Sequence, residues 1–403
     1  MKNKIIINIL SLSMLFVAFS CSSDTVGDEK EKKIEDKINL SKDYRTLFPQ
    51  NGVRDGVSFI NQLYLLNKKV DKTTLYSKEE FIGFNEKPIN GDLTIKKWTA
   101  NSEDLFKTKA SLQTEVKNRF SKSIDEIITL RKEYVKNAKE ASVGQYGHVG
   151  TSVISGDLRY VNGKGMELSE VVEKQIMGII LLDQIINNHL GNAIMQNASL
   201  REKNTKREFM SGRQYTELEY HWDLAYALVG LENSEAKPLF IANYLINQFQ
   251  GADFLRGVDK KVFDAFKKGR LALSKADYKT AEEQIGIIRE NISLLYATRC
   301  VHYLKQAKRN LIQPKNSSEY HKAFHPLSES YGFILSFIVT RKADGAFYIQ
   351  DYNVIEQMIK DYEKGNGFWE QDRLLEDENT PGSLDNLSKR IGEIFGFDHK
   401  EVI

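Results

Sequence analysis

The stretch SEDLFKTKASLQTEVKNRFSKSIDEIITL, residues 102–130, decides the fold class. Ser102 is a good helix N-cap, and Glu103 and Asp104 follow it in the first turn, where acids favour the positive end of the helix dipole. Leu112, Val116, Phe120, Ile124, Ile127 and Ile128 then recur mostly three and four residues apart, which places them on one apolar face. The spacing predicts a long amphipathic helix from Asn101 that fades near Ala141. A second helix is expected over Met166–Leu190, where Leu168, Val171, Val172, Ile176, Ile179, Ile180, Ile185 and Ile186 are apolar. Between the two, Ser142–Gly165 carries six of the 26 glycines and reads as a loop.

Helical patterning continues near Tyr215–Leu231, Pro238–Phe249, Lys260–Leu273, Ala276–Lys308, Glu319–Thr340, Val354–Lys364 and Ser383–Phe395. Only six prolines occur in 403 residues, and none lies between Pro88 and Pro238. Such a stretch suits helices, because an internal proline removes a backbone donor and clashes with the preceding turn. No alternating pattern marks a strand, with short β segments before residue 100 left open. The predicted class is all-α: helical bundles, one or two packed together.

The N-terminus reads as an address. Lys2 and Lys4 precede an apolar run, Ile5–Phe19, broken by Asn8, Ser11 and Ser13. That run is too short for a bilayer core, which needs about 20 residues, and has the form of a secretory signal. It ends at Val17-Ala18-Phe19-Ser20-Cys21, which resembles a bacterial lipoprotein signal in which Cys21 becomes the acylated first residue. The expected organisation is a signal peptide over 1–20, a charged tether over 21–41 and a helical body over 42–403. Cys21 is followed by Ser22, Ser23 and Asp24. By resemblance to lipoprotein sorting rules, the lack of an aspartate directly after the cysteine points to the outer membrane, facing the periplasm or the cell surface.

The 57 basic residues include Lys2 and Lys4, and without them basic and acidic residues balance at 55 each. That balance gives no pull toward nucleic acid. With Cys21 acylated, Cys300 is left without a disulfide partner, and its apolar setting predicts a buried, inert thiol. The common enzyme fingerprints are missing. Gly156 and Gly163-Lys164 have the wrong spacing for a P-loop, and Gly165 stands where serine or threonine belongs. No Cys-x-x-Cys, His-Glu-x-x-His or Gly-x-Ser-x-Gly occurs.

Histidine and carboxylate on helices remain. In Glu217-Leu218-Glu219-Tyr220-His221-Trp222-Asp223, Glu217 and His221 are four apart and share a helix face. His325 and Glu329 have the same spacing, with Pro326 suited to the first turn of a helix that begins there. Two such pairs facing one another across a bundle would supply imidazole nitrogen and carboxylate oxygen to a metal. The candidate ligands are His221 and His325 through nitrogen, and Glu219, Asp223 and Glu329 through oxygen, with Glu217 in reserve. Surface pairing or helix capping is the plain alternative for each pair. Trp222, Tyr226, Tyr331 and Phe333, beside these histidines, read as core.

Gly163-Lys164-Gly165-Met166-Glu167, Glu173-Lys174-Gln175-Ile176-Met177-Gly178 and Asp183-Gln184-Ile185 resemble a family of Bacteroidota lipoproteins of unknown function. So do Glu219–Asp223, Phe324-His325-Pro326-Leu327-Ser328-Glu329, Gly367-Phe368-Trp369 and Phe395-Gly396-Phe397. That family is similar to the imelysin-like proteins, helical bundles associated with iron uptake, some of them described as metallopeptidases. Their Gly-x-His-x-x-Glu hallmark is matched nearest at His221, where Glu219 replaces the glycine and Leu224 the glutamate. The resemblance implies a membrane-anchored binding lipoprotein in iron acquisition. Its partners would be an outer-membrane transporter or other iron-uptake lipoproteins, and catalysis is disfavoured by the degenerate hallmark. The competing readings are a metallopeptidase with Glu329 as base, a glycan-binding partner of a porin-like transporter, and a structural lipoprotein without metal.

Overall fold

Asp277 starts the longest helix. Its side chain accepts a hydrogen bond from the Thr280 N–H, and Tyr278–Leu311 then run 34 residues without a break. The computed structural model describes residues 43–403 except 72–76, 90–92, 135–138, 152–155, 233–234 and 247–251. The signal segment, Cys21 and the tether lie outside the described residues. The helices of eight residues or more are, in chain order, α1 (Val53–Asp71), α2 (Lys78–Glu86), α3 (Ala110–Tyr134), α4 (Leu168–Gln175), α5 (Ala198–Thr205) and α6 (Glu217–Leu228). They continue with α7 (Val258–Ser274), α8 (Tyr278–Leu311), α9 (Phe324–Ser336), α10 (Tyr352–Tyr362) and α11 (Leu384–Phe395). The chain is all-α, as its periodicity predicts, and residues Asp43–Ile403 form one unit.

Helix α8 is the spine: it packs against α7, α9 and α11, while α9 lies on α4 and α6 on α1. Trp222, Tyr296, Phe266, Phe333 and Phe337 are all buried along these contacts. Each such side chain contributes about 1.5–3 kcal/mol when taken fully out of water. Trp222 and Phe333 are therefore core, as read from the sequence, and Tyr226 and Tyr331 are buried with them.

The helix expected from Asn101 with Ser102 as its N-cap begins at Ala110, and Ser102 Oγ instead donates to Asp183 Oδ1 at 2.6 Å. Two further local features depart from the sequence expectation. The helix expected over Met166–Leu190 is α-helical only to Gln175; Ile176–His189 winds as a π-helix. There the N–H groups reach back five residues, as when Leu190 donates to the Ile185 carbonyl at 2.9 Å. Nearly every residue of this segment is buried, so packing on all sides, rather than backbone preference, sustains the looser winding. The glycine loop also carries structure: Gly147–Val149 (β1) and Arg159–Val161 (β2) pair antiparallel, with His148 opposite Tyr160. Strands of three residues are too short to leave a periodic signal.

The α4–α9 contact positions the site. On α9, Ser328, Gly332 and Ser336 are four residues apart and face α4. Ser328 Oγ accepts from the Glu167 N–H at 2.8 Å, and Ser336 Oγ donates to the Lys174 carbonyl at 2.9 Å. These contacts advance together along both helices, so the two run parallel. A Cβ on Gly332 would stand 2.7 Å from Lys174 Cβ and 2.9 Å from the Val171 carbonyl, so only glycine permits this approach.

Candidate metal centre

Glu167 immediately precedes α4, Glu170 lies in its first turn, and Glu173 and Lys174 lie in its last. The three glutamates are spaced by three, which keeps them on one side of the helix and turns them toward α9. From α9 come His325, in the first turn, and Glu329 one turn later. All four glutamates belong to one cluster, and three of them, Glu167, Glu170 and Glu329, are more than nine-tenths buried.

His325 faces carboxylates on both ring edges. Nδ1 lies 2.9 Å from Glu167 Oε2 and 3.8 Å from Glu170 Oε1, while Nε2 lies 3.5 Å from Glu329 Oε2. Lys174 Nζ lies 2.9 Å from Glu173 Oε1, 2.9 Å from Glu329 Oε1 and 3.7 Å from Glu170 Oε2. Arg159 Nε stands 3.8 Å from Glu167 at the rim. Tyr244 adds a hydroxyl 3.4 Å from Glu329 and its ring face to the ammonium, 5.4 Å from Nζ.

Three cations thus meet four carboxylates, and the carboxylate left over is Glu170. Among the described residues it accepts no hydrogen bond; its nearest donors are the two at 3.7 and 3.8 Å. Burial pushes its pKa up to about 8, an effect that His325 and Lys174 offset in part. Burial opposes the charge of His325, but Glu170, Glu329 and Glu167 outweigh it and raise its pKa to about 10. Burial likewise opposes ionisation of Lys174, Glu173 and Glu329, and their mutual attraction wins: the ammonium is raised and the two carboxyls lowered. The cluster therefore retains protons on His325 and Glu170 at neutral pH.

A cation can take the place of those protons. Among the described residues, one group of three His, Cys, Asp or Glu side chains brings its ligand atoms within 4.8 Å of one another, and it is Glu167, Glu170 and His325. Adjacent ligands of an ion held at about 2.1 Å stand about 3 Å apart. Glu167 and His325 already have that separation at 2.9 Å, and Glu170 is slightly further at 3.8 Å. With Nδ1 on the ion, Nε2–H faces Glu329, the carboxylate that orients the ring.

The sequence-predicted residues divide among three places. His325 and Glu329 belong to this cluster. His221 stacks beside His189, Nδ1 to Nδ1 at 2.9 Å, so one ring donates and the other accepts. Burial lowers the pKa of His221 to about 4 and takes His189 well below its ordinary value. Both rings are therefore neutral at physiological pH. Glu219 and Asp223 are held by Arg270, whose Nη1 reaches Glu219 Oε1 at 2.7 Å and whose Nε reaches Asp223 Oδ1 at 2.9 Å. Glu219 also takes Arg207 at 2.8 Å and completes a capping box with Thr216 at the start of α6. Asp223 accepts from the Tyr44 hydroxyl at 2.6 Å and the Gly52 N–H at 2.8 Å, tying the first helical segments to α6. Glu217, the reserve ligand, opens α6. Cys300 is buried, its thiol pushed up by burial, with Sγ 3.4 Å from the Ser330 carbonyl.

Glu167, Glu170, Glu173 and Lys174 were not among the expected ligands. The signal that could have found them is the Glu-x-x-Glu-x-x-Glu run of residues 167–173, three acids on one side of a helix otherwise apolar enough to be buried.

A family model described as "Domain of unknown function (DUF4856)" matches residues 35–398. No curated protein and no solved structure matches the chain.

Proposed function

We propose that this chain, which belongs to the DUF4856 family of domains of unknown function, is a membrane-anchored lipoprotein that binds a hard divalent cation, with iron(II) the leading candidate. Glu167, Glu170 and Nδ1 of His325 hold the ion, and Glu329 orients the histidine. One observation carries the reading: Glu170 is more than nine-tenths buried, its positive partners stand at 3.7 and 3.8 Å, and it gathers with Glu167 and His325 so that their ligand atoms lie within 4.8 Å of one another. A buried carboxylate whose positive partners stand no closer than 3.7 Å is costly to ionise, and a cation bound in place of its proton offsets that cost. Carboxylates with a single imidazole suit iron(II) or manganese(II); copper(I) draws on thiolate and thioether.

The anchor is supported by the residues around Cys21 and by the tether composition. No described helix is long and apolar enough to cross a membrane. The role in acquisition beside an outer-membrane transporter, or with other iron-uptake lipoproteins, rests on the imelysin-like resemblance and on this donor set. The peptidase alternative loses ground because Glu329, its candidate base, is engaged by Lys174.

Anaerobic iron(II) titration of the full-length chain, with metal content measured after dialysis, tests the site. One ion per chain is expected, lost in both Glu170→Gln and His325→Ala and retained in His221→Ala. Absence of binding in the unaltered chain, or retention in Glu170→Gln, overturns the assignment. Release of a Cys21→Ser variant from the membrane fraction tests the anchor, and continued membrane retention would exclude it.

A further inference from the structure

Glu170 is shared between two positive centres. One oxygen points to the imidazole side, 3.8 Å from His325 Nδ1, and the other to the Lys174 ammonium at 3.7 Å. A carboxylate that offers one oxygen to each of two neighbouring centres is the group that bridges paired metal ions, which stand about 3.5–4 Å apart. The ammonium is surrounded as such a second ion would be. Glu173 Oε1 and Glu329 Oε1 both lie 2.9 Å from Nζ, and Glu170 Oε2 completes three carboxylate oxygens around it. Lys174 is 1% exposed, so the ammonium is enclosed within the protein and water does not supply its partners.

We infer that Lys174 occupies the second position of a carboxylate-bridged pair and thereby limits the centre to one divalent cation. The inference rests on the cation site proposed above and specifies its stoichiometry. The ammonium is a tethered single charge: it compensates Glu173 and Glu329, leaves the bridging Glu170 half-served, and denies a second metal its place. A centre of this kind binds and releases one ion, and the paired-ion chemistry that a bridged site would support is withheld. The glycine at Gly332 belongs to the same device, because its missing side chain is the space that the Lys174 stem occupies against α9.

Manganese(II) is the probe, since its magnetic resonance spectrum separates isolated from coupled ions. The full-length chain should bind one equivalent with an isolated-ion spectrum. Lys174→Ala removes the ammonium and opens the position, so two equivalents should bind and the spectrum should show coupling through Glu170. Adding Glu173→Gln to that variant should return the count to one. If the unaltered chain binds two ions, or Lys174→Ala still binds one with the isolated spectrum, the inference fails while the cation site at Glu167, Glu170 and His325 stands. If the unaltered chain binds none, the underlying site fails instead. Should Lys174→Ala not fold, by circular dichroism, single replacements in the native background decide. Glu173→Gln must keep one ion and Glu167→Gln must lose it; loss in Glu173→Gln would place the ion on the lysine side and overturn the inference.

Discussion

Two of the ionic clusters buried among the described residues are built on opposite rules. Around Arg270, the carboxylates meet donors at hydrogen-bond distance: Glu219 takes Arg270, Arg207 and the Thr216 N–H, and Asp223 takes Arg270, Tyr44 and the Gly52 N–H. Around Lys174 and His325, the positive groups are fewer than the carboxylates, and Glu170 reaches no donor closer than 3.7 Å. The first cluster is closed, with its hydrogen-bonding capacity spent on joining Tyr44, Gly52, α6 and α7. The second is open at one carboxyl, Glu170, whose positive partners stand no closer than 3.7 Å. Both are rich in acid, and composition alone does not distinguish them; what separates scaffold from site is whether the buried acceptors are satisfied.

The largest effect should come from breaking the closed cluster. Arg270→Met leaves Glu219 and Asp223 buried without their shared partner, and a loss of about 3–5 kcal/mol is expected for one half of a buried pair. Urea unfolding checks it, and a loss below about 1 kcal/mol would erase the contrast between the clusters. In the open cluster the same kind of change should behave differently. Glu170→Gln replaces a carboxyl that keeps its proton in the cation-free protein, so cation-free stability should change by less than about 1 kcal/mol while cation binding disappears. A matching loss of stability in Glu170→Gln would mean that this carboxylate, too, is scaffold.

pH separates Glu170 and His325 of the open cluster from Glu219 of the closed one by sign. Glu170 holds its proton to about pH 8 in the folded chain, against an ordinary 4.5, and His325 to about 10, against 6.5. A group that binds its proton more tightly when folded contributes stability that is complete below the unfolded value and is lost as pH climbs through the folded one. Cation-free protein should therefore weaken from pH 4.5 upward through 8 for Glu170, and from 6.5 through 10 for His325. Added iron(II) or manganese(II) should flatten that decline, because the ion replaces the protons. Glu219 has the opposite sign. Burial works against its ionisation, but Arg270 and Arg207 outweigh burial and hold it below its ordinary value. Its contribution is present above pH 4.5 and lost as pH falls below that. Thermal unfolding across pH, with and without cation, reads both limbs.

The smallest effect is expected at His221. Its neutral pairing with His189 lies outside both clusters, so His221→Asn should change cation affinity by less than about twofold. A large loss would restore the two-histidine arrangement suggested by the i,i+4 spacings.

Those spacings show what a single sequence can and cannot carry. The all-α class was legible because apolar residues at spacings of three and four are dictated by the helix itself. His325 with Glu329 was legible for the same reason, being a pair within one helix. Its true neighbours were not, because Glu167 and Glu170 come from α4, about 160 residues earlier in the chain. Only the α4–α9 crossing brings them together. His221, Glu219 and Asp223 were singled out by the same local rule and proved to have strong local and tertiary partners of other kinds. Arg270 lies 47 residues from Asp223, and no spacing argument reaches that far. The π winding of Ile176–His189 and the three-residue strands left no signal either, since both depend on what packs around them.

Gly332 gives the open cluster a property that none of its ligands possesses. The α4–α9 distance is fixed by the absence of one methyl group, and across that distance stand Glu167 and Glu170 on one side and His325 and Glu329 on the other. The helix pair works as a caliper whose opening is set by side-chain volume at a position that never meets the ion. A single added carbon there would spread the jaws and loosen the grip on a small cation while every charged residue kept its identity. At the proposed cation site, selectivity among ions of different radius would then depend on the packing of this interface as much as on its carboxylates.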